Sequence, residues 1–414
     1  MIPLRRQSKR SNSKLHPHGF VVFLVALGGC LFALHQSVWR HVRVERVVAL
    51  GSHSLVNAAH KAGVSKTNFS WKNEAVLIPK PKNEPGAHES SLPSWMIDYI
   101  EWHAEQRKLL LESNYMSFRY LILRCEDGRD FKCGGLSDRL KPLPLLFLEA
   151  AQSRRLLFIH WTRPAPLEEF LQPSRGGLDW RIPPWFESKM ESEKVLLITT
   201  ASTLAAGVRR TNRFVAARIQ DQHGGSVLYN KIQGTRAYRR VFRSLWKSIF
   251  KPSLQVQTAL QSQLKKMELI DGQYVAAHLR ALYDKSTLDD TYLRAITLNA
   301  VNCASQLRQS SETPVYFAAD TEDALVYVRH YARTQNLPIV AAHRQEPLHL
   351  DKSKSRNPRD YDNIFVDLFL LSQASCIAHG RGGFGRLGVL LSHNASCVFK
   401  FVENGTFKTC DWRA

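Results

Sequence analysis

The sequence predicts an α/β protein made of two halves, each built on a parallel sheet, and three observations carry that expectation. In the first half, short apolar runs alternate with a helical stretch: Tyr120–Arg124 (YLILR), Ser137–Ser153, Leu156–His160 (LLFIH) and Val195–Thr199 (VLLIT). In the second half, short strands recur at Tyr274–Leu279, Pro314–Ala319, Pro338–Ala341, Ser375–His379 and Ser396–Phe401, most of them separated by helical stretches. Finally, 414 residues at 44% hydrophobic content are too many for one ordinary core and suit two folded domains with accessory segments.

The elements follow in chain order. Arg5, Arg6, Lys9, Arg10 and Lys14 precede an uncharged apolar run from Gly19 to Leu34, extended loosely to Trp39. About 20 residues cross a bilayer, so Gly19–Trp39 is just long enough, with Trp39 at the interface. The basic residues before it favour a cytosolic N-terminus. The expectation is a cytosolic tail at 1–18, a transmembrane anchor at 19–39 and a luminal remainder; a cleaved signal peptide is the competing reading. A short span suits the thinner membranes of the early secretory pathway. Asn68-Phe69-Ser70, Asn394-Ala395-Ser396 and Asn404-Gly405-Thr406 are N-glycosylation sequons beyond the anchor. Of seven cysteines, Cys30 lies in the apolar run and six lie after it. An even luminal count fits disulfides, with buried thiols as the alternative. Cys125 with Cys133, and Cys397 with Cys410, each flank a short loop and are the expected pairs.

Residues 40–115 are assigned to a stem, rich in proline and polar residues up to about residue 95, with apolar folded sequence setting in near Trp95. The first folded domain is expected at 116–255, where Pro142 and Pro144 fit the opening turn of the Ser137–Ser153 helix. Tyr238–Phe250 (YRRVFRSLWKSIF) has apolar residues at helical spacing and basic ones opposite. It reads as a helix packed on its own domain, or alternatively as a membrane-surface helix. Leu254–Leu269 is a further helix. The second domain, 256–414, carries helices at Asp290–Gln309, Glu322–Gln335, Tyr361–Gln373 and Phe384–Ser392, the alternation of a doubly wound sheet. Ligands of such sheets gather at the carboxyl ends of the strands. Those ends hold His278-Leu279-Arg280, Asp320, His343-Arg344 and His379-Gly380-Arg381-Gly382-Gly383. Cations, small residues and helix N-termini together suit a phosphate.

The net charge is +21, of which residues 1–46 contribute +7 and the rest of the chain +14. Such an excess concentrates anionic partners. Nucleic acid is disfavoured, because no zinc-finger spacing, RNP signature or Arg/Gly tract is present; a nucleotide-sugar diphosphate remains.

Three stretches carry a family resemblance. Cys133–Trp161 (CGGLSDRLKPLPLLFLEAAQSRRLLFIHW) resembles the opening Gly-x-Leu/Phe-x-x-Arg/Gln-Leu segment of GDP-fucose-dependent fucosyltransferases. Val275–Arg280 (VAAHLR) is similar to that superfamily's His-x-Arg motif. Asn363–Leu387 (NIFVDLFLLSQASCIAHGRGGFGRL) resembles the closing motif of α-1,6-fucosyltransferases, bacterial nodulation fucosyltransferases and plant relatives, through Asp367, the Leu-Ser-Gln-Ala run 371–374 and Arg386. The resemblance covers roughly residues 120–400.

It implies a GT-B architecture, two Rossmann-like domains facing a cleft, and an inverting, metal-independent transfer of fucose from GDP-fucose to a glycan or glycoprotein. The protein would then be a Golgi membrane, single-pass type II enzyme with a luminal catalytic domain. Another nucleotide sugar, or a catalytically silent glycan-binding relative, are the alternative readings. In the family the His-x-Arg arginine contacts the donor's β-phosphate, which gives Arg280 that role, with His278 beside it. An arginine fork holds two phosphate oxygens and cannot lose its proton. It stabilises the leaving group where a metal would otherwise serve. The resemblance places Asp320 on the guanine; a strand-end Asp is also a common helix N-cap, here for the helix beginning near Glu322, and that is the alternative. Arg139 would project into the cleft or serve structure. Gly380, Arg381, Gly382 and Gly383 stand where relatives carry a Phe-Ser-Ser-like phosphate-binding run. No cofactor and no metal ligand is implied. Asp284 is the candidate catalytic base, with Asp289 and Asp290 also following the His-x-Arg motif and Asp138 across the cleft; a solvated loop carboxylate at 284, in a reaction without a dedicated base, is the alternative.

Overall fold

The computed structural model describes residues 92–126, 133–219, 235–282, 289–342, 349–350, 355–394, 397–401 and 410–412. The anchor 19–39, the stem up to residue 91, Asn68, Asn404, Asp284 and the His343-Arg344 pair lie outside the described residues.

The first sheet contains β1 (Tyr120–Cys125), β2 (Leu156–Trp161), β4 (Val195–Ile198) and β5 (Phe214–Ala217), all parallel in the order β2-β1-β5-β4. The central strand reads YLILRC without alternation because both of its faces are covered. Tyr120 and Ile122 face an aromatic cluster, in which the Tyr120 and Phe214 rings stack 4.9 Å apart and Phe186 packs edge-on. Leu121 and Leu123 face the main core. The expected Ser137–Ser153 helix is two helices, α2 (Leu136–Leu140) and α3 (Leu143–Ser153). Pro142 supplies no N–H to a continuing helix and becomes the N-cap residue of α3, so the chain turns between them.

Helix α1 (Ser94–Leu109) precedes β1 and buries Trp95, Met96, Tyr99, Ile100 and His103. Tyr99 donates to the Arg155 carbonyl at 2.7 Å and packs edge-on against Phe147 of α3. Residues 94–109, which fell in the segment assigned to a stem, are thus folded: apolar residues on α1 belong to the core of the first sheet. Helices α4 (Phe186–Ser192) and α5 (Ala201–Val208) complete this half, with a small antiparallel pair, β3 (Leu171–Pro173) and β6 (Phe250–Pro252).

Helix α6 (Thr235–Ile249) buries Tyr238, Val241, Phe242, Leu245, Trp246 and Ile249. Its apolar face is spent on the protein's own core, as the self-packing reading expected. Helix α7 (Leu254–Lys266) follows, its N-cap Ser253 side chain accepting from the Val256 amide.

The second sheet is led by β7 (Val275–Leu279), β8 (Val315–Ala319) and β9 (Ile339–Ala341), joined by α8 (Asp290–Ser305) and α9 (Glu322–Thr334). Helix α10 (Asp362–Gln373) then leads to β10 (Cys376–His379), α11 (Gly383–Leu391) and β11 (Val398–Lys400), with β12 (Asp411–Trp412) antiparallel at the edge. The order is β12-β11-β10-β7-β8-β9. Winding runs outward from β7 through β8 to β9, then restarts at β10 on its other side. The β7–β10 junction is thus the topological switch point, where doubly wound sheets hold ligands. Phe170 of the first half and Phe365 of α10 stack at 4.4 Å, and one hydrophobic cluster runs through both halves.

The cysteines pair as Cys125–Cys133, Cys303–Cys410 and Cys376–Cys397. The first is the expected pair. The expected Cys397–Cys410 pair does not form: Cys397 follows α11 directly beside the start of β10 and takes Cys376. Cys410 meets Cys303 of α8 instead, pinning the C-terminal edge strand.

Candidate active site

At the switch point, register pairs His278 of β7 with His379 of β10. Both imidazoles are driven neutral. Burial, then the neighbouring His379 and Arg280, lowers His278 to about 3. Burial outweighs the bond to the Gly380 carbonyl and, with Lys400, Arg386 and Arg239 nearby, lowers His379 to about 4. The His278 ring lies 5.1 Å from that of Phe384, and its Nδ1 has no hydrogen-bond partner.

Arg280 leaves the end of β7 and meets Asp320 from the end of β8, the strand beside it. Their ion pair joins Nη1 to Oδ2. Asp320 also accepts from the backbone amides of Ala281 at 2.7 Å and of Leu282 at 3.2 Å. The N-cap expectation for Asp320 is corrected by this arrangement, while the carboxylate also lines the cavity. The N-cap of α9 is Thr321, and the carboxylate oxygens are taken up by Arg280 and the turn behind it. On its other side, the Arg280 stem lies against Gly382, where a Cβ would sit 3.3 Å from Arg280 Cγ. Gly382 has φ +85° and ψ 172°, a backbone state open to glycine alone. The sequence Gly380-Arg381-Gly382-Gly383 is therefore a turn shaped around Arg280, leading directly into the N-terminus of α11.

A cavity of about 190 Å³ opens here. From the second half it is lined by His278, Arg280, Asp320, Asp367, Gly382, Gly383 and Phe384 among others, and from the first half by Gly135, Leu136, Ser137 and Asp138. Asp367 accepts from the Tyr316 hydroxyl at 2.6 Å, which fixes its orientation from below. Asp138 accepts from the Gly135 amide and lies 3.6 Å from Lys141 Nζ. Among the described residues, no group of three His, Cys, Asp or Glu is placed to hold a metal ion.

Of the residues singled out in the sequence, the fold brings His278, Arg280, Asp320, Gly382 and Gly383 together around this cavity. Gly380 is buried behind it, its amide reaching the His278 carbonyl, and Arg381 is exposed. Arg139 does not project into the cleft. It is buried, donates to the carbonyls of Gly134 at 2.9 Å and Arg163 at 2.5 Å, and stacks over Trp161 at 5.0 Å. A guanidinium that closes backbone carbonyls inside the first half is structural. Two polar lining residues were missed in sequence, Ser137 and His349. Ser137 sits two residues before the arginine that drew attention, near the start of α2, where it meets Gly383 of the second half.

No protein-family model matches the chain, and no curated protein matches it in sequence. Solved structures do match. The chain aligns with Arabidopsis thaliana FUT1, an arginine-to-lysine mutant in complex with GDP, at 12% identity and a TM-score of 0.51, over 78% of this chain and 82% of that one. The fucosyltransferase NodZ from Bradyrhizobium aligns at 13% identity and a TM-score of 0.41, over 69% of this chain and 95% of NodZ. POFUT1 in complex with GDP aligns at 11% identity and a TM-score of 0.37, over 69% of this chain and 98% of POFUT1. At this identity the match to FUT1 speaks for the fold: the resemblance read from the three motifs holds at that level.

Proposed function

We propose that the protein is a fucosyltransferase, transferring fucose from GDP-fucose to a glycan or glycoprotein acceptor with inversion at the sugar C1 and without a metal ion. One observation carries this reading: Arg280 is held by Asp320 and packed against Gly382, the N-cap of α11, at the switch point of a doubly wound sheet, on a cavity that both halves line. The FUT1 mutant that shares the fold was solved with GDP, which fits a guanine nucleotide in the same kind of cavity.

The chemistry follows from charge. The acceptor oxygen bonds to fucose C1 as the bond from C1 to the β-phosphate oxygen breaks, and GDP leaves with the electron pair. Negative charge grows on the β-phosphate, where a guanidinium with a fixed fork and the α11 amides lower the barrier. Asp320 acts as a positioning residue: it fixes one corner of the fork and the turn carrying it, while the guanine contact is left to other groups. Neutral His278 adds no cation of its own and shapes the wall under Phe384. The hydroxyl proton must leave the acceptor, and Asp284 keeps its place as the candidate to take it.

The assay is GDP release from GDP-fucose by the luminal chain, with and without chelator, beside other GDP-sugars. Turnover of GDP-fucose unaffected by chelator is expected. Turnover of a different GDP-sugar alone would correct the donor; tight GDP binding with no turnover of any would favour the silent relative. The apolar run 19–39 and the sequons support a type II Golgi membrane protein. Deleting residues 1–40 behind a cleavable secretion signal should release a soluble, glycosylated protein, with exposed Asn394 among the modified sites. Retention in the membrane fraction would defeat the anchor.

A further inference from the structure

The first half presses Ser137 and Lys141 against the N-terminus of α11. Gly383 opens that nine-residue helix, and a Cβ there would lie 2.7 Å from Ser137 Oγ and 3.4 Å from Lys141 Nζ. Ser137 is 4% exposed, lines the cavity, and its hydroxyl has no hydrogen-bond partner. A buried hydroxyl left unpaired costs free energy unless something absent from the protein itself completes it. Lys141 is 9% exposed, and its ammonium has Asp138 only at 3.6 Å. Burial, with Arg386 adding to it against the pull of Asp138, lowers its pKa. A buried ammonium, an unpaired hydroxyl and a helix N-terminus thus converge on one point, and each of the three is satisfied by an anion.

We propose that Ser137 and Lys141 form a second phosphate hold, contributed by the first half and independent of Arg280, so that the donor's diphosphate is gripped from both halves at once. This deepens the donor reading above and rests on it for the identity of the ligand, though the anion site stands on its own geometry. Lys141 supplies the charge. Ser137 donates its hydroxyl to a phosphate oxygen, and Gly383 keeps the helix end close enough for both to reach. The ligand chemistry is a diphosphate, whether free or carried by a nucleoside.

The test is binding of GDP, inorganic pyrophosphate and guanosine to the luminal chain by calorimetry, for wild type, Lys141→Met and Ser137→Ala, with thermal melts for folding. Lys141→Met should weaken GDP and pyrophosphate about tenfold or more, and Ser137→Ala by a smaller factor, while guanosine binding stays unchanged. If Lys141→Met fails to fold, Ser137→Ala and Lys141→Gln carry the measurement. Wild-type affinity for both GDP and pyrophosphate in the folded variants would overturn the second hold. Wild type that binds pyrophosphate but not GDP would leave the hold standing and sink the donor reading, whereas wild type that binds neither would sink both.

Discussion

Asp320 ties Arg280 to the turn that carries it: one carboxylate accepts from the Arg280 guanidinium and from the amides of Ala281 and Leu282. The consequence is a division of labour between two neighbouring strands. β7 supplies the cation, and β8 supplies the anion that aims it. Arg280→Ala should lower turnover by about 3 kcal/mol, a hundredfold or more, with a smaller loss of GDP affinity. Arg280→Lys should recover little, because an ammonium cannot keep one corner on Asp320 while gripping two phosphate oxygens. A folded Arg280→Ala protein with near-normal turnover would move the leaving-group contact elsewhere.

Asp320→Asn separates positioning from base recognition. The amide keeps its size and one acceptor but loses the negative charge that aims Arg280, so turnover at saturating donor should fall about tenfold, roughly 1.4 kcal/mol, with GDP affinity little changed. The reverse pattern, weaker GDP binding with unchanged turnover, would return Asp320 to the guanine.

Gly382→Ala probes the opposite side of Arg280. At φ +85° a Cβ carries backbone strain of about 1–3 kcal/mol. The same Cβ would crowd the Arg280 stem at 3.3 Å. The variant should melt earlier and also turn over more slowly per folded molecule. A lowered melting temperature with full turnover would mean Gly382 serves the turn and not Arg280.

The second half was legible because its strands are short, uniformly apolar and spaced by helices of regular length. Val275–Leu279 and Cys376–His379 fall within a residue of their expected bounds. Arg280 was legible for the same reason: a cation after a buried strand has few places to go. Arg139 stayed open between cleft and structure because a sequence shows a residue's type and not its partners. Only the fold brings the Gly134 and Arg163 carbonyls and the Trp161 ring around it. Ser137 was invisible for the complementary reason, since its hydroxyl matters only once Gly383 arrives from more than two hundred residues away. The strand Phe214–Ala217 (FVAA) was missed because four small or mixed apolar residues carry no period.

Of the two expected cysteine pairs, Cys125–Cys133 forms, and Cys397–Cys410 failed on the same ground, as loop length alone favoured it. Non-reducing peptide mapping should instead find Cys303 with Cys410, and Cys376 with Cys397. Because Cys303–Cys410 spans 107 residues, the chain-entropy view gives it about 4–5 kcal/mol, more than the short Cys125–Cys133 loop at separation 8. Cys303→Ser should therefore lower the melting temperature more than Cys133→Ser. Recovery of a Cys397–Cys410 peptide would overturn the assignment.

Acid should destabilise the protein well above the carboxylate range. His278 is lowered to about 3, His103 to about 4 and His379 to about 4, with burial the largest cause in each. An unfolded histidine titrates near 6.5. Between these values the unfolded chain binds protons that the folded chain refuses, so unfolding is drawn forward as pH falls. The stability held by these neutral imidazoles is complete above about pH 6.5 and is lost progressively down to about pH 4. With all three contributing, the slope approaches about 4 kcal/mol per pH unit. Below that window Glu126 adds to the loss: burial raises its carboxyl, but bonds from His160 and Arg124 outweigh burial and hold it low. Thermal melts at pH 7.5, 6.5, 5.5 and 4.5 should fall steeply after the second point. His103→Gln tests the assignment, because His103 Nε2 lies 3.1 Å from the Leu157 carbonyl and a glutamine amide retains that donor without titrating. It should melt earlier at pH 7.5, from altered packing, yet lose about a third of the slope between pH 6.5 and 4.5. A wild-type melting temperature that stays flat across that interval would mean these imidazoles accept protons in the folded state.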